Sequence, residues 1–259
     1  MENLDAILNT LLAVRPEHRH LRIPEDPAGK RTLMRSLMNV LPPYPFGAEF
    51  LERQNEELAR QREEKGIIDL ESLQPSLRDP RLRLWKGDIT RLRADAIVNA
   101  ANSQLLGCFV PMHGCIDNVI HSAAGVQLRA ECDRIMREQG EEEAVGRAKI
   151  TPGYNLPAAH VLHTVGPRIT GARVTPEEEQ VLASCYRSCL QLAEEHRLRS
   201  LAFCCISTGE FRFPNALAAK IAVDAVDTHF VQHGQTSLET VVFVVYKELD
   251  EDLYKGLLE

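Results

Sequence analysis

The run Asp95-Ala96-Ile97-Val98-Asn99-Ala100-Ala101-Asn102-Ser103, residues 95–103, decides the architecture. Ala94 to Ala100 is short and apolar, the length of one strand buried on both faces. It empties directly into small hydrogen-bonding residues, so the spacing predicts a strand feeding a loop. The same pattern recurs on either side. Leu82, Leu84 and Trp85 lead into Gly87-Asp88-Ile89-Thr90, and Leu201 to Ile206 leads into Ser207-Thr208-Gly209-Glu210-Phe211. His160 to Val165 and Val241 to Tyr246 are further strand candidates. Between them lie helical stretches at about Asn118 to Gln139, Pro176 to His196 and Asn215 to Phe230. Pro176 followed by Glu177, Glu178 and Glu179 suits a helix start, where acidic groups meet the positive end of the dipole. Strand–helix alternation predicts an α/β domain whose largely parallel sheet is covered by helices on both faces. Ligands then bind at the loops beyond the strands' C-terminal ends.

Upstream the pattern changes. Leu4, Ile7, Leu8, Leu11 and Leu12 recur at helical spacing, as do Leu33, Leu37 and Met38 within Arg31 to Leu41, which Pro42-Pro43 stops. Phe50 to Gly66 reads as a charged helix, and Asp79-Pro80 marks a boundary. The expected organisation is a helical N-terminal extension, residues 1–80, and an α/β domain, residues 81–259. The extension is expected to pack against the main domain or a partner.

The loops carry the chemistry. Ser207-Thr208-Gly209 can turn backbone N–H groups and hydroxyls toward an anion, and Phe211 can cover a base or sugar face. Within Gly107-Cys108-Phe109-Val110-Pro111-Met112-His113-Gly114-Cys115, two thiols and one imidazole fall inside eight residues. Cys108, His113 and Cys115 suit Zn²⁺, and three ligands leave a tetrahedral position open. No fourth ligand is evident beside them, although His121 and Asp117 are candidates. His121 lies on an apolar stripe with Ile120 and Ala124, which fits a core or capping role. Cys185, Cys189, Cys204 and Cys205 fit helix and strand interiors, and His160 and His163 receive no role.

In order, Gly87-Asp88-Ile89-Thr90, Asp95 to Asn102, Ile116 to Gly125 and Ser207-Thr208-Gly209 resemble the recurrent motifs of the macrodomain family. The resemblance spans about Arg81 to Tyr246 and implies a three-layer α/β/α domain with a mixed sheet, binding ADP-ribose in a cleft across it. It implies that Asp88 holds the adenine amino group, with Ile89 beside the ring. Asn102 would contact the distal ribose, and Ser207, Thr208, Gly209, Glu210 and Phe211 would wrap the diphosphate and ribose. Cys115, Ile116, Asp117 and Asn118 would face the same ligand. Where many macrodomains have a run of glycines, this chain has the Cys/His loop, and it resembles the zinc-dependent subgroup found in bacteria and some fungi, which also carries a helical extension. That resemblance implies one Zn²⁺ per chain and removal of mono-ADP-ribose from carboxylate-linked protein side chains. Asn102 would orient the ribose. Asp117 would act as a base or orient water, or would cap the helix near Asn118 while the zinc activates the water. A reader module without catalysis and an O-acetyl-ADP-ribose deacetylase are the alternatives. Implied partners are a sirtuin-type ADP-ribosyltransferase and a lipoylated carrier protein.

Composition narrows the field. A formal net charge of −7 argues against a general nucleic-acid binder. Glu2 and Asp5 in the first residues, with no basic start, do not suit a secretory signal. No apolar run is long enough to span a membrane. Seven unevenly placed cysteines in 259 residues do not form a disulfide framework, so a cytoplasmic location is expected.

Overall fold

Leucine and methionine at helical spacing bring together three N-terminal helices, α1 (Glu2–Val14), α2 (Pro27–Val40) and α3 (Ala48–Lys65). This computed structural model describes residues 2–259; Met1, counted in the expected extension, lies outside the described residues. The three helices enclose a small core of their own, with Ile7, Leu8, Leu11, Met34 and Leu37 buried. Asp26 caps α2 by accepting the Gly29 N–H, with Pro27 in the first turn.

The chain then pairs β1 (Ile68–Asp69) in parallel with β3 (Leu92–Arg93), on either side of β2 (Leu82–Lys86) in sequence. Leu70 is buried in the core of the α/β domain, with Ile68 and Leu73 packed against it. The main core thus takes up apolar residues ahead of the Asp79-Pro80 boundary expected from sequence.

Six strands build that sheet: β2, β4 (Ala96–Ala101), β5 (Ala148–Pro152), β6 (His160–Val165), β7 (Ser200–Phe203) and β8 (Thr240–Val245). Their spatial order is β2-β8-β7-β4-β6-β5. All neighbours are parallel except β5, which pairs antiparallel with β6 at one edge, so the sheet is mixed. β4 is central, with Ile97 opposite Val161 of β6 on one side and Ala202 of β7 on the other.

Helices α4 (Ile116–Ala124) and α5 (Val126–Gln139) cover one face, and α6 (Pro176–Glu195), α7 (Asn215–Gln232) and α8 (Glu248–Leu258) cover the other. The single helix expected over Asn118 to Gln139 is two, because Gly125 turns the chain at φ +96°. α6 begins with a capping box, Thr175 accepting the Glu178 N–H while Glu178 accepts that of Thr175. The extension lies against α4 through α2 and α3. Among the described residues no helix is long and apolar enough to cross a membrane.

Candidate functional site

The Cys/His loop joins β4 to α4 at the C-terminal edge of the sheet. The ligating atoms of Cys108, His113 and Cys115 all lie within 4.8 Å of one another. His113 Nδ1 is 3.6 Å from Cys108 Sγ, while its Nε2 faces Glu210 Oε1 at 3.7 Å. That orientation turns Nδ1 toward the thiols, where it could ligate a metal, and Nε2 toward a nearby carboxylate. Cys115 is the N-cap of α4, its sulfur accepting the Asn118 N–H at 3.4 Å. Burial pushes the Cys115 thiol up to about 12, so a thiolate there requires a cation against it. Two sulfurs and one imidazole, closely grouped and half-buried, are a donor set that fits Zn²⁺. Neither His121 nor Asp117 joins the group, so among the described residues no fourth His, Cys or carboxylate closes it.

Asp117 lies in the first turn of α4 and is buried. Asn99, fully buried at an inward position of β4, donates to Asp117 Oδ1 at 2.8 Å. Asn102 Nδ2 lies 3.5 Å from Asp117 Oδ2 and donates to the Gly107 carbonyl at 3.1 Å. Burial raises the Asp117 carboxyl to about 6, against the Asn99 hydrogen bond and the Arg129 charge, which pull it down. A carboxyl poised there can exchange a proton near neutral pH.

His121 sits behind Asp117, its Nε2 3.5 Å from Oδ1. With Cys132 and His163 it forms a second, fully buried His/Cys group. His163 is already committed there, with Nδ1 facing the Asn99 amide at 3.2 Å and Nε2 facing the Thr151 hydroxyl at 3.0 Å. Burial holds both imidazoles neutral, His163 down to about 3. This group is a polar seam through the core that supports Asn99 and Asp117.

The loop after β7 approaches the metal loop from the other side, through the Glu210–His113 contact. Ser207 adopts φ +64° and its buried Oγ has no hydrogen-bond partner. Thr208 Oγ1 donates to the Cys205 carbonyl, and the Phe211 carbonyl accepts the Ile169 N–H. At the far strand end, Asp88 accepts the Thr90 N–H at 3.0 Å and its hydroxyl at 2.6 Å, with Lys65 Nζ 3.5 Å away. Ile89 beside it is buried. Asn118 is fully buried too; its amide donates to the Val110 carbonyl of the Cys/His loop at 2.9 Å, and its Oδ1 accepts from Arg35 at 2.9 Å.

Known proteins resemble this chain along most of its length. The Macro domain family model matches residues 98–222. A protein-ADP-ribose hydrolase of Treponema medium is 48% identical over 254 residues, covering 97% of this chain and 96% of its own. A protein-ADP-ribose hydrolase of Staphylococcus aureus is 44% identical, covering 97% and 93%. The chain belongs to the macrodomain family. The Trypanosoma brucei macrodomain solved in complex with ADP-ribose superposes with a TM-score of 0.67 at 30% identity, covering 91% of this chain and 97% of that one. The Oceanobacillus iheyensis macrodomain with ADP superposes at 0.59 with 37% identity, covering 68% of this chain and 88% of that one.

Sequence reasoning about this macrodomain passed over four contributors. Asn99 had one signal, a polar residue at an inward strand position. Gly166 follows β6, and a Cβ there would lie 2.0 Å from Ser207 Oγ. Arg35 and Asn39 of the extension touch the metal loop from 73 or more residues away, a separation at which no local pattern points to the contact.

Proposed function

We propose that this macrodomain is a zinc-dependent hydrolase that removes mono-ADP-ribose from protein side chains, the linkage being a carboxylate ester. The observation that carries this reading is the grouping of Cys108, His113 and Cys115 beside the buried Asp117. The names of the Treponema and Staphylococcus relatives support hydrolysis over mere recognition. When bound there, Zn²⁺ supplies Lewis acidity at the distal ribose. Everything else falls to the chain's own residues. Asp88 takes the adenine amino group and Ile89 lies along the ring. Ser207 to Phe211 wrap the diphosphate with backbone N–H groups, for which the left-handed turn at Ser207 is suited. Asn102 orients the ribose. Asp117, aligned by Asn99, orients water or holds the transferred proton.

The proposed location is the cytoplasm, where thiols stay reduced; all seven cysteines are unpaired. The proposed partners, carried over from the family resemblance, are a mono-ADP-ribosylated substrate protein, a sirtuin-type ADP-ribosyltransferase and a lipoylated carrier protein. The test is His113→Ala. It should lose its zinc and most hydrolysis of a mono-ADP-ribosylated protein while still binding ADP-ribose, with circular dichroism showing that it folds. Wild-type turnover in a folded, zinc-free variant would demote the metal and leave a hydrolase built on Asn102 and Asp117. Wild-type protein that binds ADP-ribose without releasing it from protein would be a reader. Faster release of acetate from O-acetyl-ADP-ribose than of ADP-ribose from protein would make it a deacetylase.

A further inference from the structure

The loop of residues 107–115 closes one turn of its own, the Val110 carbonyl accepting the His113 N–H at 3.2 Å with Pro111 and Met112 between them. It is bounded by Gly107 and Gly114, and Phe109, Val110 and Met112 are exposed, so no apolar packing fixes its tip. Met112, directly before the ligand His113, sits at φ +56°, a conformation that side-chain-bearing residues avoid. From outside the loop, α2 ties this turn down. Asn39, almost fully buried, accepts the Met112 N–H on Oδ1 at 2.9 Å. Its Nδ2 donates to Ser122 of α4 at 2.9 Å, so its amide is locked at both ends. Arg35, one turn earlier, donates to the His113 carbonyl at 3.1 Å and to Asn118 Oδ1 at 2.9 Å. Asn118 in turn donates to the Val110 carbonyl. Arg129 ties the same region from the other side. Its guanidinium lies over the Phe109 ring and donates to the carbonyls of Leu106, Met38 and Leu41, the last two at the end of α2.

We propose that the N-terminal extension is a working part of the site: Arg35 and Asn39 are positioning residues that fix the backbone at Met112–His113 and thereby hold the imidazole of His113 against the two thiols. This rests on the zinc reading above for what His113 ligates, and on the hydrogen bonds alone for the bracing. Neither residue touches substrate or metal. Each confines one peptide unit adjacent to the ligand, so removing it lets the loop sample arrangements in which the three donors no longer converge.

The experiment uses the full chain with Arg35→Ala, Asn39→Ala and the conservative Arg35→Lys. Three readouts are taken: zinc release to a chromogenic chelator, hydrogen exchange across residues 107–115, and kcat and KM separately. Loss of an outer-shell contact typically weakens metal holding by about 10- to 100-fold, so the alanine variants should release zinc at least about 10-fold faster. They should also lose protection at Met112 and lose kcat more than KM. Exchange in α1 and α3 should stay at wild-type levels, which separates a loosened loop from an undocked extension. Arg35→Lys should recover part of the effect. Wild-type zinc release and turnover in Arg35→Ala and Asn39→Ala would overturn the proposal, as would unchanged exchange at Met112. Wild-type protein that carries no zinc would defeat the metal reading by itself, and the exchange result would then decide whether α2 braces the loop.

Discussion

Gly166→Ala should damage the loop after β7 from a position outside that loop. A Cβ at 166 would stand 2.0 Å from Ser207 Oγ, 2.9 Å from Ile206 Cγ2 and 3.4 Å from Ser207 Cβ. The hydroxyl can rotate away, because it is held by no hydrogen bond. Ile206 cannot move so easily, being fully buried in the main core. Relief must come from the backbone of 206–207, where Ser207 is already in the left-handed region. Overpacking of this kind costs about 1–3 kcal/mol. The same shift misaims the N–H groups of 207–211, and about 1.4 kcal/mol of misalignment would weaken ADP-ribose binding by about 10-fold. A double-mutant cycle with Ser207→Gly isolates the cause. Glycine removes both Ser207 atoms from the contact and lets the backbone of 206–207 shift at positive φ, so Gly166→Ala should cost less stability in that background, although the Ile206 contact remains. Urea denaturation gives the stabilities and calorimetry the affinities. Full stability and full affinity in Gly166→Ala would refute the reasoning, and so would an undiminished stability cost in the Ser207→Gly background.

The other expectations are simpler. Asp88→Ala should weaken ADP-ribose by about 10- to 150-fold in calorimetry, from loss of a charge-assisted hydrogen bond of about 1.5–3 kcal/mol; unchanged affinity in a folded variant removes Asp88 from the site. Because burial raises the Asp117 carboxyl to about 6, its ionised form is lost as pH falls through that value, and hydrolysis should decline there or lower once a cation is bound nearby; a flat profile from pH 7 to 4.5 would exclude Asp117 as a base. Glu194 has the opposite sign: burial raises it, but hydrogen bonds from Ser237, Thr236 and His229 outweigh that and hold it down to about 2. Its contribution is therefore present above the usual carboxylate value of 4.5 and lost as pH drops toward 2. Glu194→Gln should cost about 1–2 kcal/mol at pH 7, discounted for partial exposure, with the gap closing in acid; melting curves showing the same gap at pH 7 and pH 2.5 would rule this out.

What was legible in sequence follows from burial. β4, β6 and β8 are covered on both faces, so they read as continuous apolar runs ending in polar loops. β5 was not legible, because an edge strand with Lys149 and Pro152 carries no such run. α8 was missed for a related reason: its acidic first turn masks the few residues, such as Tyr254 and Leu258, that reach the core. In the site, the grouping of Cys108, His113 and Cys115 was visible because its members fall within one stretch of eight residues. Asn99, Gly166, Arg35 and Asn39 matter only through neighbours remote in sequence.

The extension's two-ended attachment bears on how portable this domain is. Besides Arg35 and Asn39 at the Cys/His loop, Lys65 faces Asp88 after β2, and the Gly66 carbonyl accepts Arg91. Between them, Gln54 accepts the Val126 N–H and Arg62 donates to the Asn155 carbonyl. A fragment cut at Pro80 for screening or fusion would sever every one of these ties. It would also strand the Arg129 guanidinium, which burial already draws down to about 10, without the Met38 and Leu41 carbonyls that now accept it. Inhibitors selected on such a fragment would meet a Cys/His loop no longer tied to α2. Any transplant of this activity into another protein has to carry the helices along with the sheet.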